Sequence, residues 1–568
     1  MAATTKETAC LLCSLCCPAG VAFDDYGLTA PEYPGHTAAA RRGLCARGHY
    51  IAELAGHPGR LDRGLVRGPS APKAVAPSEA LRQAAAALAS ARNETAVVLD
   101  GNLPCEELAA AVRSAREGLG IARVTLYIPP SDEAVLRGLA ASSATRIGER
   151  ELGDCDVILA VGDPFATHPV VASSVLDALA KARGRRLAVI DSVQGKTSRF
   201  AADFCQVRPG GETAALAGLL LALDAGSGAA AGALPGLDIP AAAAMAGVAP
   251  GRLEALAATL SKAQRLAVLV ALHEGRCAAT SAAAALAGKL AEARGGATCP
   301  LLTYGNAAGA WRLATALKTA PLAQLVADLA LGRVRQLIVL GTDLLGALPR
   351  LDLGSAEIVL CAAPLPTATT ARAAFVVPMA FWFEIGGTVL DGAGGRRRAG
   401  AVARPRGGAL SPSGILAALG APGAAPLAAA DCDALLAAEP SVGLAEVLGR
   451  PADWVPRVPD GHMVLVSQAD CVGFAEGSTS GQLAWPALME PRAVLWLNPR
   501  EATAMTSNRA TVRSDGVALT LAVGASADVP PGVAVVSPRF VETRALFSWR
   551  GASAGPAVVH MEKSSGGD

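Results

Sequence analysis

Short, mostly apolar runs recur along this chain, and helical stretches separate them. Ala96–Leu99, Val124–Ile128, Asp156–Val161 and Leu187–Ile190 form a first set, with Leu187–Ile190 ending at Asp191. Leu266–Leu272, Leu337–Leu340, Ile358–Cys361 and Ala374–Val377 form a second. Between them, Ser78–Ala91, Glu106–Glu117, Val170–Ala182 and Ala278–Arg294 have the length and pattern of helices. A strand covered on both faces reads as a continuous apolar run, and parallel strands need a helical crossover to connect them. The fold class predicted is therefore α/β and multidomain, with two Rossmann-like parallel-sheet units that bind ligand at the C-terminal ends of their strands.

The first residues carry a different constraint. Cys10, Cys13 and Cys17 follow the pattern C-x2-C-x3-C, and Cys45 comes later, after residues 18–44. Four thiolates are what a [4Fe-4S] cluster needs, one for each iron. Cys16 stands beside Cys17, so either could be the third ligand. A structural zinc site is the alternative, but zinc sites more often pair two short cysteine knuckles and only one is present. Cys105 opens a predicted helix, a position that can lower a thiol pKa. Cys155, Cys205, Cys277, Cys361 and Cys471 stand in mostly apolar contexts and read as buried small hydrophobes.

Composition narrows the function classes. The 568 residues are 52% hydrophobic and 17% charged, with a net charge of +1. A low-charge surface suits contact with other subunits. Near-zero charge gives no support for a nucleic-acid partner. Apolar runs such as Ala214–Leu223 are too short or too alanine-rich to span a bilayer, so no direct membrane insertion is expected. The N-terminus lacks the apolar stretch of a secretory signal and has no Arg-Arg pair ahead of Cys10, which predicts a cytoplasmic protein.

The organisation expected is a cluster-binding segment at 1–67, a first α/β unit at 68–260, a second at 261–408, a connector of low-complexity Ala/Pro/Gly at 409–460, and a small β-barrel at 461–555. Gly68–Pro77 reads as a linker, and the polar tail Met561–Asp568 as disordered. Three strand-end loops are candidate ligand contacts: Gly162-Asp163-Pro164, Asp191-Ser192 and Gly341-Thr342-Asp343. Glycine after a strand lets backbone N–H groups approach a phosphate, and an acidic residue at a neighbouring strand end can bind a ribose or purine. No Ser-His-Asp set, Walker loop or H-E-x-x-H is evident, so hydrolase and ATPase readings have no support.

Taken together, the cysteine spacing, Cys45-Ala-Arg-Gly-His-Tyr50, His57-Pro-Gly-Arg-Leu61 with Leu65-Val-Arg67, the runs Asp156–Val170, Val189–Asp203 and Val207–Glu212, Glu384–Thr388 and Asn498–Ala502 resemble the molybdopterin oxidoreductases over nearly the whole chain. That family includes formate dehydrogenases, the catalytic subunit of formylmethanofuran dehydrogenase and the large iron–sulfur subunit of respiratory complex I. The resemblance implies a [4Fe-4S] cluster on Cys10, Cys13, Cys17 and Cys45, with Arg47 at the place where relatives keep a basic residue between cluster and pterin. It implies a cradle for molybdopterin guanine dinucleotide with Mo or W, drawing on Gly162, Asp163, Pro164, Asp191, Gly341, Asp343 and Asn498. Active relatives commonly bind the metal through Cys or selenocysteine followed by His. The corresponding stretch Thr125–Gly148 has neither Cys nor His; some relatives use Ser or Asp instead, and Ser131 or Asp132 lie near that place.

Three functions follow. The leading expectation is an iron–sulfur electron-transfer subunit of a cytoplasmic multi-subunit redox complex, its metal ligand lost and its neighbours other iron–sulfur or flavin proteins. The alternatives are an active Mo/W-bispterin oxidoreductase acting on formate or a formyl compound, and a structural scaffold subunit.

Overall fold

Strands from distant parts of the chain pair into two separate parallel sheets, one in each of two units. The computed structural model describes residues 4–24, 27–32, 44–68, 71–88, 92–224, 232–421, 427–437, 439–474, 479–505, 507–547 and 555–563. The first unit comprises Met1–Pro129, Thr303–Pro440 and Gly473–Ala487; the second comprises Pro130–Leu302, Ser441–Val472 and Leu488–Asp568.

In the first unit, seven strands lie in the order Lys73–Val75, Gly64–Val66, Phe375–Pro378, Glu357–Ala363, Gln336–Leu340, Thr95–Asp100, Arg123–Tyr127. The last five run parallel, while Gly64–Val66 joins the edge antiparallel to Phe375–Pro378. Chain order reverses between Thr95–Asp100 and Gln336–Leu340, which opens a crevice beyond their C-terminal ends. A small antiparallel sheet of Thr4–Ala9, Pro18–Asp24 and Gly27–Glu32 carries the cysteine loop between its first two strands. Leu11, Leu12, Ile51, Leu54, Trp382 and Phe383 belong to the apolar core beneath that loop.

In the second unit, six parallel strands lie in the order Asp203–Gln206, Arg186–Asp191, Val157–Gly162, Leu266–Ala271, Ala297–Pro300, Thr145–Arg146. Chain order reverses between Val157–Gly162 and Leu266–Ala271. A closed barrel follows, in the order His462–Ser467, Val533–Val536, Val494–Leu497, Val517–Ala525, Arg509–Ser514, Ala557–Lys563.

The strands are α/β with parallel sheets and a small barrel, as expected, but they do not sort into consecutive blocks at 68–260 and 261–408. Thr95–Asp100 and Arg123–Tyr127 pair with strands from 336–378, and Val157–Gly162 and Arg186–Asp191 share a sheet with Leu266–Ala271. All are similar apolar runs, and nothing local in such a run says which partner it takes. The stretch 409–460 is not an irregular connector. It contains the helices Pro412–Ala418, Ala429–Ala437 and Leu444–Leu448, because alanine and leucine are strong helix formers. The barrel extends past 555: Ala557–Lys563 pairs with two barrel strands, so Met561–Lys563 is ordered by that pairing, while 564–568 lie outside the described residues. The expected linker holds the edge strand Lys73–Val75, and its residues 69–70 lie outside the described residues.

Candidate metal centre and strand-end crevices

The cysteine loop is closed by its own backbone. The Cys10 N–H donates to the Cys17 carbonyl at 2.9 Å, and the Cys16 N–H to the Cys13 carbonyl at 3.3 Å. Cys16 takes a left-handed conformation (φ 44°), unusual for a residue with a side chain, and this turns its thiol away. Its Sγ donates to the Gly305 carbonyl at 3.0 Å. Gly305 itself is pressed on the loop, since a Cβ there would stand 2.5 Å from Leu11 Cα.

Cys45 caps the helix Ala46–Gly56, which places Arg47 in its first turn, where it is buried. Burial pushes the Cys10 and Cys13 thiols up; charge on Cys45 would push both further, and Arg47 opposes it. Hydrogen bonding from the Leu12 peptide at Cys10, and from the Leu15 peptide and Arg47 at Cys13, works against the rise. Buried Cys10, Cys13 and Arg47 and half-buried Cys45 therefore share one electrostatic neighbourhood. Among the described residues no group of three or more His, Cys, Asp and Glu side chains has the geometry to hold a metal ion. A cluster differs in giving each thiolate its own iron, so its cysteines surround a body instead of meeting at a point. The donor set fits such a group: buried thiols, peptide N–H groups aimed at sulfur, and one guanidinium.

The two crevices repeat one device. In the second unit, Asp163 Oδ1 accepts from the Thr197 N–H at 2.8 Å and from the Thr197 hydroxyl at 2.5 Å, and the same Thr197 oxygen accepts from the Phe165 N–H at 2.9 Å. In the first unit, Asp343 Oδ1 accepts from the Thr369 N–H at 2.9 Å and its hydroxyl at 2.7 Å, and Thr369 Oγ1 accepts from the Leu345 N–H at 2.9 Å. Each aspartate follows a glycine at positive φ, Gly162 at 89° and, one residue further back, Gly341 at 94°. A Cβ on Gly162 would stand 2.3 Å from the Ala271 carbonyl oxygen, so the two central strands meet closely there. Pro164 occupies the first turn of the short helix after Asp163. Asp163 and Asp343 thus brace their own loops.

Asp191 is different. It accepts from the Ser192 N–H at 2.7 Å and from Arg276, yet its Oδ2 is buried with no hydrogen-bond partner. Burial raises its pKa, and Arg276 opposes the rise. Arg276 also donates to the Ser467 carbonyl at 3.1 Å. Beside it, burial and then the Asp191 charge push Glu212 up to about 8. An oxygen left over at the end of a central strand suits a ligand hydroxyl or amine, so the residues here fit a nucleotide-like group. Arg276 and Glu212 were not among the sequence-derived candidates. The signal available for Arg276 was its position just after the strand Leu266–Ala271, in a loop that the sheet brings to the crevice.

The remaining candidates are placed elsewhere. Ser131 and Asp132 are buried in the first turn of the helix Pro130–Leu139. Asn498 caps the helix Pro499–Ala504, accepting from the Arg500 N–H at 3.2 Å and donating to the Val529 carbonyl at 2.9 Å. Cys105 does open a helix, but its pKa is raised, because the Cys432 thiol lies against it and both are buried. Contact with a second thiol and loss of water outweigh the helix N-terminus.

No protein-family model and no curated protein matches this sequence. The chain has the fold of acetylene hydratase. The structure of acetylene hydratase from Pelobacter acetylenicus superposes with a TM-score of 0.75, covering 98% of this chain and 100% of that one at 14% identity. At this identity the likeness speaks to fold alone. No helix among the described residues is long and apolar enough to cross a membrane.

Proposed function

We propose that this chain is an iron–sulfur electron-transfer subunit of a multi-subunit redox complex, built on a molybdopterin-oxidoreductase type of fold. The observation that carries the reading is the electrostatic neighbourhood of buried Cys10 and Cys13 with half-buried Cys45, in which Arg47 and the Leu12 and Leu15 peptides favour the thiolate form. A bound [4Fe-4S] cluster would supply single-electron transfer. Cys10, Cys13, Cys17 and Cys45 would hold it. The Cys16 thiol donates to the Gly305 carbonyl, which supports Cys17 over Cys16 as the third ligand. Arg47 offsets the negative charge of the thiolates, and the core around Leu11, Leu12 and Trp382 keeps water away.

A second reading is a working Mo or W oxidoreductase. It is favoured by the Asp–Thr braces at both strand-end loops and by the spare Asp191 oxygen in the second unit. Metal and acid-labile sulfide analysis of anaerobically purified protein separates the two. About four irons per chain without Mo or W supports electron transfer; stoichiometric Mo or W supports the second reading. A chain without iron overturns the first.

A further inference from the structure

The cysteine loop is held from behind at two peptide units. Hydrogen bonding from the Leu12 peptide favours the charged form of Cys10, and from the Leu15 peptide that of Cys13. Each N–H shares a rigid peptide plane with the preceding carbonyl, so fixing that carbonyl fixes the aim of the N–H. The Leu11 carbonyl accepts from Asn102 Nδ2 at 2.9 Å, and the Ser14 carbonyl accepts from the Gly392 N–H at 2.9 Å. The two grips are equivalent, but only the first uses a side chain.

Asn102 is itself held. Its Oδ1 accepts from the Asn306 N–H at 3.1 Å, and its N–H donates to Asp100 Oδ1 at 3.0 Å. With an acceptor and a donor both engaged, the amide has one orientation. Asn306 is anchored in turn by donating to the Leu103 carbonyl at 2.6 Å. Asn102 stands just past the strand Thr95–Asp100, at the point where the sheet reverses chain order. Donation into a peptide carbonyl polarises the peptide and strengthens its own N–H bond, by roughly 10–30% per bond. A stronger N–H···S bond favours the state with more negative charge on sulfur, which is the reduced cluster.

We propose that Asn102 is a positioning residue for the cysteine loop: by holding the Leu11 carbonyl it aims the Leu12 N–H at the Cys10 sulfur and raises the reduction potential of a cluster bound there. The inference rests on the cluster reading above. The test is a redox titration of the anaerobically purified full chain, read by electron paramagnetic resonance, with iron and sulfide measured on the same samples. Asn102→Ala should keep its iron and shift the oxidised-to-reduced ratio at fixed potential by about three- to tenfold toward oxidised, ~59 mV lower at the upper end for one electron. A residue serving only to stabilise the fold would lower the unfolding temperature and leave the potential alone. If the alanine variant does not assemble, Asn102→Ser, polar but too short to reach Leu11, decides by the same readout. Full iron with an unmoved potential overturns the inference alone. A wild-type chain without iron or sulfide overturns the cluster reading and the inference with it.

Discussion

Thr197 gives both its backbone N–H and its hydroxyl to one oxygen of Asp163, at 2.8 and 2.5 Å, and thereby turns the loop after a central strand into a closed brace. Thr369 does the same for Asp343 in the other unit. The pairs lie in different sheets and share no partner. Thr197→Val and Thr369→Val should each cost about 1.5–3 kcal/mol, the value of a hydrogen bond to a charged group. The double variant should show the sum, because separate sites add. Urea unfolding of the three variants checks this, and a double variant no worse than either single one would contradict it.

The Asp163 brace also requires a bare backbone at Gly195. A Cβ there would stand 2.0 Å from Asp163 Oδ2, beside the Lys196 N–H that donates to the same oxygen at 2.8 Å. Gly195→Ala should therefore destabilise by about 1–3 kcal/mol through overpacking. Gly184→Ala is not a clean control, because φ is 96° there although nothing stands close. Gly251→Ala, with open space and no positive φ, should leave the unfolding midpoint nearly unchanged.

Glu212 predicts a pH dependence. Its folded pKa of about 8 lies above the ordinary 4.5 of an exposed glutamate. The folded chain then binds more protons than the unfolded one between those values, so stability falls as pH rises through this window. The slope approaches 1.36 kcal/mol per pH unit. Glu212→Gln removes the titration. Unfolding midpoints from pH 5 to pH 8 should decline in the wild type and decline less in the variant; parallel curves would refute the assignment.

Arg60 and Glu384 form a buried two-pronged ion pair, with nitrogen-to-oxygen distances of 2.6 and 2.8 Å, and Glu384 also accepts from the Phe381 N–H at 2.9 Å. Arg60→Ala leaves a carboxylate buried without its cation and should cost about 3–5 kcal/mol. The paired change Arg60→Met with Glu384→Leu should cost less than the single one. Thermal unfolding of both variants measures the difference.

The ligand set can be read from iron content. Cys10→Ala, Cys13→Ala, Cys17→Ala and Cys45→Ala should each lose most of the bound iron. Cys16→Ala should retain it, because that thiol is turned to the Gly305 carbonyl. Iron loss in Cys16→Ala together with retention in Cys17→Ala would exchange the two assignments.

Much of this was legible in the residues. Apolar runs such as Leu187–Ile190 are strands, and Gly162 and Gly341 stand at strand ends as expected. The backbone angle of Cys16 and its bond to a carbonyl 289 residues away, which bear on the choice between Cys16 and Cys17, were not legible. The role of Asp163 was hidden for a similar reason: an aspartate after a glycine looks like a ligand contact until Thr197, from the next strand-end loop, is seen to occupy it.

What the amino-acid order determined alone was local: which stretches are strands or helices, where the turns fall, and that clustered thiols crowd the first segment. Periodicity and turn chemistry act over a few residues, so they can be read there. Which strands share a sheet, that Arg276 reaches Asp191, and that Asn102 reaches behind the cysteine loop were decided only in three dimensions. Those contacts join residues far apart in the chain, and their energy depends on burial and geometry that no local pattern encodes.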